Sequence, residues 1–284
     1  MLCPACTRRP IRFEPGPGGR PGARCPSCRA LERHRFLAVL LAGLEAEHEA
    51  SAVILEVAPA GSVSAVLRSR GGLYLGADVD PAADHRIVQV VADLGRFALR
   101  DRSVNLAVVF HVFEHIGDDA AAMRELARVL ADDGLALIQV PWRRGAATDE
   151  DPGASTEERT RRFGQPEHVR FYGADFDDRL LAAGLCTVRI RPEDLLPDDL
   201  IEAMGLTDRT PIWMGSTAGG RVARMSPEDT VAMLRSRLEA GAIPRWREWL
   251  ALPVEVGPGL PLLGWVVALG GTRVGRTLRG WMTP

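Results

Sequence analysis

The stretch Ala52-Val53-Ile54-Leu55-Glu56-Val57-Ala58-Pro59-Ala60-Gly61-Ser62 decides the fold. A short apolar run rich in β-branched residues stops at a Pro/Gly turn, and apolar residues then recur at helical spacing. The same pattern repeats downstream. Strand-like runs fall at 52–57, 73–77, 87–91, 105–110 and 135–140, with helical stretches at about 61–70 and 118–131. Such alternation predicts an α/β domain built from βαβ units around a doubly wound parallel sheet. A helix over 175–184 and strands at 187–190 and 211–214 finish the sheet, so the core closes near Thr217. Sheets of this kind bind ligands beyond the carboxyl ends of their strands. The residues just after each run are therefore the site candidates: Glu56 to Gly61, Asp78, Asp93 with Leu94, and His111-Val112-Phe113-Glu114-His115. The first turn lacks the G-x-G-x-x-G of a dinucleotide-binding dehydrogenase, since only Gly61 is a glycine.

Upstream of the sheet, Cys3-Pro4-Ala5-Cys6 and Cys25-Pro26-Ser27-Cys28 are separated by eighteen residues. Each C-x-x-C turn points two thiolates at one centre, and two turns complete a tetrahedral S4 site suited to zinc. The Gly- and Pro-rich stretch between them cannot build a core of its own, so the metal would supply its folding energy. A disulfide pairing is the alternative, disfavoured in a reducing compartment. The fifth cysteine, Cys186, lies in an apolar run and reads as a small buried hydrophobe. Residues 31–50 show helical spacing and read as a bridging helix. Its opening cluster Glu32-Arg33-His34-Arg35 reads equally as an anionic-ligand contact or a solvated face.

With 284 residues, 46% hydrophobic and 25% charged, the chain can bury a core, and collagen-like, disordered and coiled-coil classes are excluded. The net charge of −2 hides an uneven distribution: residues 1–35 carry eight Arg against two Glu, and residues 219–284 nine Arg against five acids. No lysine occurs, so every fixed cation is a guanidinium. The N-terminus shows no apolar signal region, and the cytoplasm is the expected compartment.

The order Glu56, Asp78, Asp93, His111-Val-Phe-Glu-His115, Asp133-Gly134, Gln139-Val140-Pro141, with Phe163-Gly164-Gln165-Pro166-Glu167-His168-Val169-Arg170-Phe171-Tyr172-Gly173, resembles the class I S-adenosylmethionine-dependent methyltransferases. The likeness is to a bacterial branch that opens with a zinc ribbon, and it covers roughly residues 1–217. It implies a seven-stranded Rossmann-like sheet (51–217), an N-terminal zinc ribbon (1–30), the bridging helix (31–50) and a C-terminal helical extension (218–284). It also implies that Glu56 and the backbone of Ala58, Pro59, Ala60 and Gly61 hold the methionine end of the cofactor. Asp78 would take the ribose hydroxyls, Asp93 with Leu94 the adenine, and His111 would line the other side. Two departures stand out: Ala58 and Ala60 replace glycines of the general pattern, and Asn105 sits where Asp is frequent.

Methyl transfer needs an aligned acceptor and, for a hydroxyl or protonated amine, a base. His111, His115 and His168 are the candidates, with Glu114 as a partner, and each has a plain structural alternative as a hydrogen-bonding residue at a strand or loop end. Residues 142–169 read as a mostly irregular lid that brings Glu114, Gln165, His168, Arg170 and Tyr172 to the acceptor, with Arg170 able to clamp an anionic group. Its acidic run 149–151 reads as a solvated loop or a weak cation site. Ser226-Pro227 opens a helix to about Glu239, and four of the six Trp lie in the tail. The uncharged stretch 256–272 is too short and too broken by Pro and Gly to span a bilayer; it reads as a cover over the core or a partner surface.

The leading expectation is a methyltransferase acting on O or N of a small-molecule acceptor, a sugar or a natural-product intermediate, with S-adenosylmethionine and structural zinc. Two alternatives stand beside it. One is an RNA-base methyltransferase gripping nucleic acid with the arginine-rich ribbon, against which no stacking platform accompanies the arginines. The other is a non-catalytic binding module on a decayed fold.

Overall fold

A computed structural model describes residues 1–44, 52–80, 82, 88–206 and 210–251. Seven strands form one sheet in the order β3-β2-β1-β4-β5-β9-β8. They are β1 (Val53–Val57), β2 (Leu73–Asp78), β3 (Val90–Val91), β4 (Val104–Phe110), β5 (Leu130–Gln139), β8 (Leu185–Ile190) and β9 (Ile212–Thr217). A separate antiparallel pair, β6 (Asp149–Glu150) and β7 (Arg170–Phe171), lies outside that sheet. Strands β1 to β5 pair in parallel, and β9 slots antiparallel between β5 and β8, so the sheet is mixed. Chain order reverses at β1 and β4, which are neighbours. The ligand-binding crevice of a doubly wound sheet opens at that point.

The strands are legible because both faces are covered, which selects the near-continuous Val/Ile/Leu runs of β1 and β4. One face is packed by α3 (Asp119–Val129), α5 (Phe176–Ala182), Phe113, Tyr172 and Trp213. The other carries α1 (Glu32–Gly43), residues of α2 (Gly61–Arg68), α8 (Pro227–Ala240) and α9 (Ala242–Ala251), together with Leu2. Leu2, Phe36, Val108, Leu238 and Trp246 therefore share one apolar cluster. Two short helices, α6 (Pro192–Leu195) and α7 (Asp198–Ala203), join β8 to β9.

Side-chain caps fix the helix starts: Asp118 accepts from Ala121 N, Ser155 from Glu158 N and Ser226 from Asp229 N, each satisfying an amide without an intrahelical partner. The expected lid is more ordered than its composition implies. Between β6 and β7 it contains α4 (Thr156–Phe163), and Trp142 Nε1 donates to Gly173 O at 2.7 Å. Asn105, at the position noted above as often Asp, accepts from Val53 N at 2.8 Å, a role either residue fills. Cys186 is half-buried in β8. The far end of the expected bridging helix (45–50), the start of the run at 87 and the stretch 256–272 lie outside the described residues. Among the described residues, no helix is long and apolar enough to cross a membrane.

Candidate functional site

The two cysteine turns are local copies of one another. Thr7 N donates to Cys3 O and Arg29 N to Cys25 O, while Cys3 N donates to Arg8 O and Cys25 N to Ala30 O. The residue after each second cysteine is left-handed, Thr7 at φ 55° and Arg29 at φ 65°. The four Sγ atoms lie within 4.8 Å of one another, with Cys3 to Cys28 at 3.7 Å and Cys6 to Cys25 at 3.9 Å. A tetrahedral centre with zinc–sulfur bonds of about 2.3 Å requires sulfurs about 3.8 Å apart. The donor set and its spacing therefore fit zinc.

The Glu32–Arg35 cluster matches neither of its two sequence readings. Arg35 is fully buried, donating to the carbonyls of Met204, Ala23, Ala30, Gly22 and Gly205 and stacking over Phe13 at 3.9 Å. It staples the ribbon to the loop after α7. Glu32 is buried against Arg20. His34, half-buried, sets Nδ1 3.0 Å from Ser62 Oγ at the head of α2. Burial, with the charges of Arg33, His111 and Arg35, holds its imidazole well below the usual histidine range.

At the carboxyl end of β1, Glu56 is buried and both its oxygens are used within the chain. Oε1 accepts from Ala60 N at 2.8 Å, and Oε2 accepts from Ser64 Oγ at 2.7 Å and Tyr74 Oη at 2.6 Å. The carboxylate thus pins the β1–α2 loop, and with burial it pushes the Tyr74 phenol upward. Ala58 is left-handed at φ 52°, so alanine adopts the turn expected of a glycine, at a strain of roughly 1 kcal/mol. A Cβ on Gly61 would meet nothing within 4 Å, which leaves the N-terminus of α2 open to a ligand. Asp78, at the end of β2, is 7% exposed and accepts from Asp80 N at 3.0 Å. Asp93 is exposed, closing a turn on Gly95 N at 2.8 Å, while Leu94 is buried. Two carboxylates at adjacent strand ends and an open helix start fit the polar groups of a nucleoside carrying an amino-acid tail.

Across the crevice, His111 follows β4, left-handed at φ 56°, with its N–H donated to Gln139 O. Left-handed non-glycine residues thus occur at both strand ends of the switch point. His111 Nδ1 lies 3.0 Å from Glu114 Oε1. Glu114 is fully buried, and its Oε2 has no hydrogen-bond partner among the described residues. His115 is exposed, His168 is buried, and their rings meet edge-on at 4.7 Å. Burial pushes the His168 imidazole down, against the pull of Glu114.

The remaining expected acceptor contacts divide. Gln165 is exposed at the turn before His168. Arg170 is 1% exposed, and its guanidinium donates to the carbonyls of Phe113, Ile116 and Gly117 and pairs with Glu150. Tyr172 is fully buried, with Oη donating to Asp119 at 2.8 Å. The polar atoms of both are spent on the fold, holding the 113–117 turn in place. The acidic run 149–151 is arginine-paired: Asp149 and Asp151 with Arg162, Glu150 with Arg170 and Arg179. Tyr74, buried beside Glu56, and His34, against Ser62, support the β1–α2 region, a role the sequence did not single out; their only signal was position, one on the strand beside Glu56 and one in the charged cluster.

Residues 30–188 match the family model described as a methyltransferase domain. Two Mycobacterium tuberculosis sequences, each named "Probable S-adenosylmethionine-dependent methyltransferase", are 41% identical over 58 residues. That match spans 20% of this chain and 21% of those relatives. Among solved structures, an S-adenosylmethionine dependent methyltransferase from Mesorhizobium loti is 17% identical at a TM-score of 0.43, covering 64% of this chain and 96% of that one. The Burkholderia thailandensis 1,6-didemethyltoxoflavin-N1-methyltransferase is 15% identical at a TM-score of 0.44, covering 63% and 78%.

Proposed function

The chain belongs to the methyltransferase-domain family, and from that premise we propose that it moves a methyl group from S-adenosylmethionine to an oxygen or nitrogen of a small-molecule acceptor such as a sugar or natural-product intermediate. The observation that carries this reading is the pair His111–Glu114, set at the strand-order reversal just after β4, the neighbour of the strand that ends in the Glu56-pinned loop. In this reading Asp78 receives the ribose hydroxyls, Asp93 and the Leu94 backbone face the adenine, and the loop Ala58-Pro59-Ala60-Gly61 takes the methionine end. Glu56 shapes that loop. The bound cofactor supplies a methyl carbon on a sulfonium sulfur.

His111 then acts on the acceptor. An ionised carboxylate only accepts hydrogen bonds, so Glu114 fixes the His111 tautomer with its proton on Nδ1 and leaves Nε2 free to take the acceptor proton. The ribbon's arginines favour a small acceptor over RNA. Arg35 is buried, Arg20 meets Glu32, Arg24 and Arg29 meet Glu14, and Arg9 donates to Leu250 O, so much of the basic stretch is engaged internally. We further assign residues 1–30 as a zinc ribbon on Cys3, Cys6, Cys25 and Cys28, 31–50 as the bridge, 51–217 as the transferase body and 218–284 as an extension, acting in the cytoplasm.

The test is calorimetric titration of zinc-loaded protein with S-adenosylmethionine and its demethylated product. Micromolar binding that Asp78→Ala weakens by about 1–3 kcal/mol, the cost of losing charge-assisted hydrogen bonds, is expected. Folded wild type that takes up neither compound at millimolar concentration refutes the reading and leaves the non-catalytic module.

A further inference from the structure

Three residues around the crevice form a cluster that the base assignment leaves unexplained. One ligand atom from each of Glu114, His115 and His168 lies within 4.8 Å of the others. Glu114 and His168 are buried while His115 is exposed, so the cluster is closed behind and open in front. Glu114 is fully buried, yet Oε1 alone is bonded and Oε2 has no partner among the described residues. An uncompensated buried carboxylate oxygen is costly and calls for a cation or a donor.

The surroundings are arranged as those of a metal ligand. His168 Nδ1 sits 3.2 Å from the Phe163 carbonyl, which can only accept, so the proton is on Nδ1 and the Nε2 lone pair is left over. The two segments that carry the ligands are tied together by the chain itself. Val169 N donates to Glu114 O at 2.8 Å, and the Arg170 guanidinium grips the carbonyls of Phe113, Ile116 and Gly117 on either side of Glu114 and His115.

We propose that Glu114, His115 and His168 bind a divalent first-row metal ion, separate from the four-cysteine centre, whose open positions take two neighbouring oxygens of the acceptor. Two imidazoles and one carboxylate suit Mn²⁺, Fe²⁺, Co²⁺ or Zn²⁺, and three protein ligands leave coordination sites free. The role in catalysis rests on the methyltransferase reading; the ion binding does not. Glu114 is shared between the ion and His111, which brings the polarised oxygen and the base to one acceptor. That selects a vicinal diol or an α-hydroxy acid, which chelate through adjacent oxygens. In the step, the hydroxyl proton passes to His111 Nε2, the oxygen lone pair forms the new O–CH₃ bond, and the C–S bond breaks with its electron pair going to sulfur.

The test titrates zinc-loaded full-length protein, without cofactor or acceptor, with Mn²⁺ followed by electron paramagnetic resonance, and in parallel with Zn²⁺ beyond the ribbon equivalent. One additional ion per chain is expected, with affinity reduced at least ~10-fold in Glu114→Gln and in His115→Ala. His115 is exposed, so its truncation leaves the fold intact and S-adenosylmethionine affinity unchanged while methylation of a vicinal-diol acceptor falls. Equal affinity of Mn²⁺ and Zn²⁺ for wild type and His115→Ala overturns the site. Methyl transfer that persists undiminished in His115→Ala overturns its role but upholds the methyltransferase reading. Failure of S-adenosylmethionine to bind refutes that reading, and the ion titration is scored independently of it.

Discussion

Replacing Arg35 with methionine tests whether the ribbon and the body are held together by one buried cation. Its guanidinium donates to five carbonyls at 2.7–3.4 Å, three of them in the ribbon (Gly22, Ala23, Ala30) and two after α7 (Met204, Gly205). It also covers the Phe13 ring at 3.9 Å. Methionine fills comparable volume but offers no donor. Hydrogen bonds to a charged group contribute about 1.5–3 kcal/mol each, and burying the guanidinium takes back several kcal/mol of that gain. Removing one partner of such a buried arrangement costs roughly 3–5 kcal/mol, because the other groups stay buried and unpaired. In a protein of this size that lowers Tm by on the order of 10 °C. Urea unfolding of zinc-loaded wild type and variant, with amide exchange read over residues 22–30, measures it. Arg35→Lys, with three donors on one nitrogen, should fall between the two. A variant within ~1 kcal/mol of wild type, with ribbon amides equally protected, refutes the staple.

Three further outcomes follow from the same geometry. Cys25→Ser should drop the zinc retained after dialysis against a chelator from about one per chain to none and unfold the first thirty residues, since the metal supplies their folding energy; a variant that keeps its zinc contradicts the S4 assignment. His34 protonates well below the usual histidine range in the folded chain, so below pH ~6.5 the unfolded state binds the extra proton and stability falls as pH falls, whereas above that pH the contribution is level. Ser62, Arg33, Arg35 and His111 surround it. A plot of Tm against pH should therefore slope less in His34→Gln between pH 6.5 and 5; parallel curves sink the idea. Tyr74→Phe removes the 2.6 Å bond to Glu56 and should cost about 1.5 kcal/mol of stability. Because Ala60 N still anchors the loop, its S-adenosylmethionine affinity should fall less than that of Asp78→Ala, as calorimetry would show.

The sheet was legible because its information is local: strands covered on both faces leave apolar runs at β1, β2, β4 and β5, and the paired cysteines announce their site by spacing alone. The placement of Asp78 and His111 at strand ends was legible for the same reason, since each follows an apolar run directly. What escaped was partner choice at long range. Glu56 reads as a ligand contact until Tyr74 and Ser64 are seen to claim its oxygens. Arg170 reads as an anion clamp although its carbonyl partners are more than fifty residues earlier. The helix α4 hid in a stretch whose charge and glycine content resemble a loop, because it buries only Phe163 and is held to β6 through Arg162, which pairs with Asp149 and Asp151.

No lysine occurs in the chain, and the structure gives part of that absence a physical meaning. Arg35 serves five carbonyls from separate stretches of chain, Arg70 serves Leu41 and Leu44, and Arg170 serves three carbonyls and a carboxylate. A guanidinium spreads five N–H groups over a planar fork, whereas an ammonium places three on one atom. Lysine at position 35 or 170 would leave buried carbonyls orphaned on segments that only tertiary contact brings together. At these positions arginine is required by geometry, whatever fixed the composition elsewhere. For the same reason, counting the arginines of the first 35 residues as surface charge overstates the pull of that region on nucleic acid: several of those charges already hold the fold together.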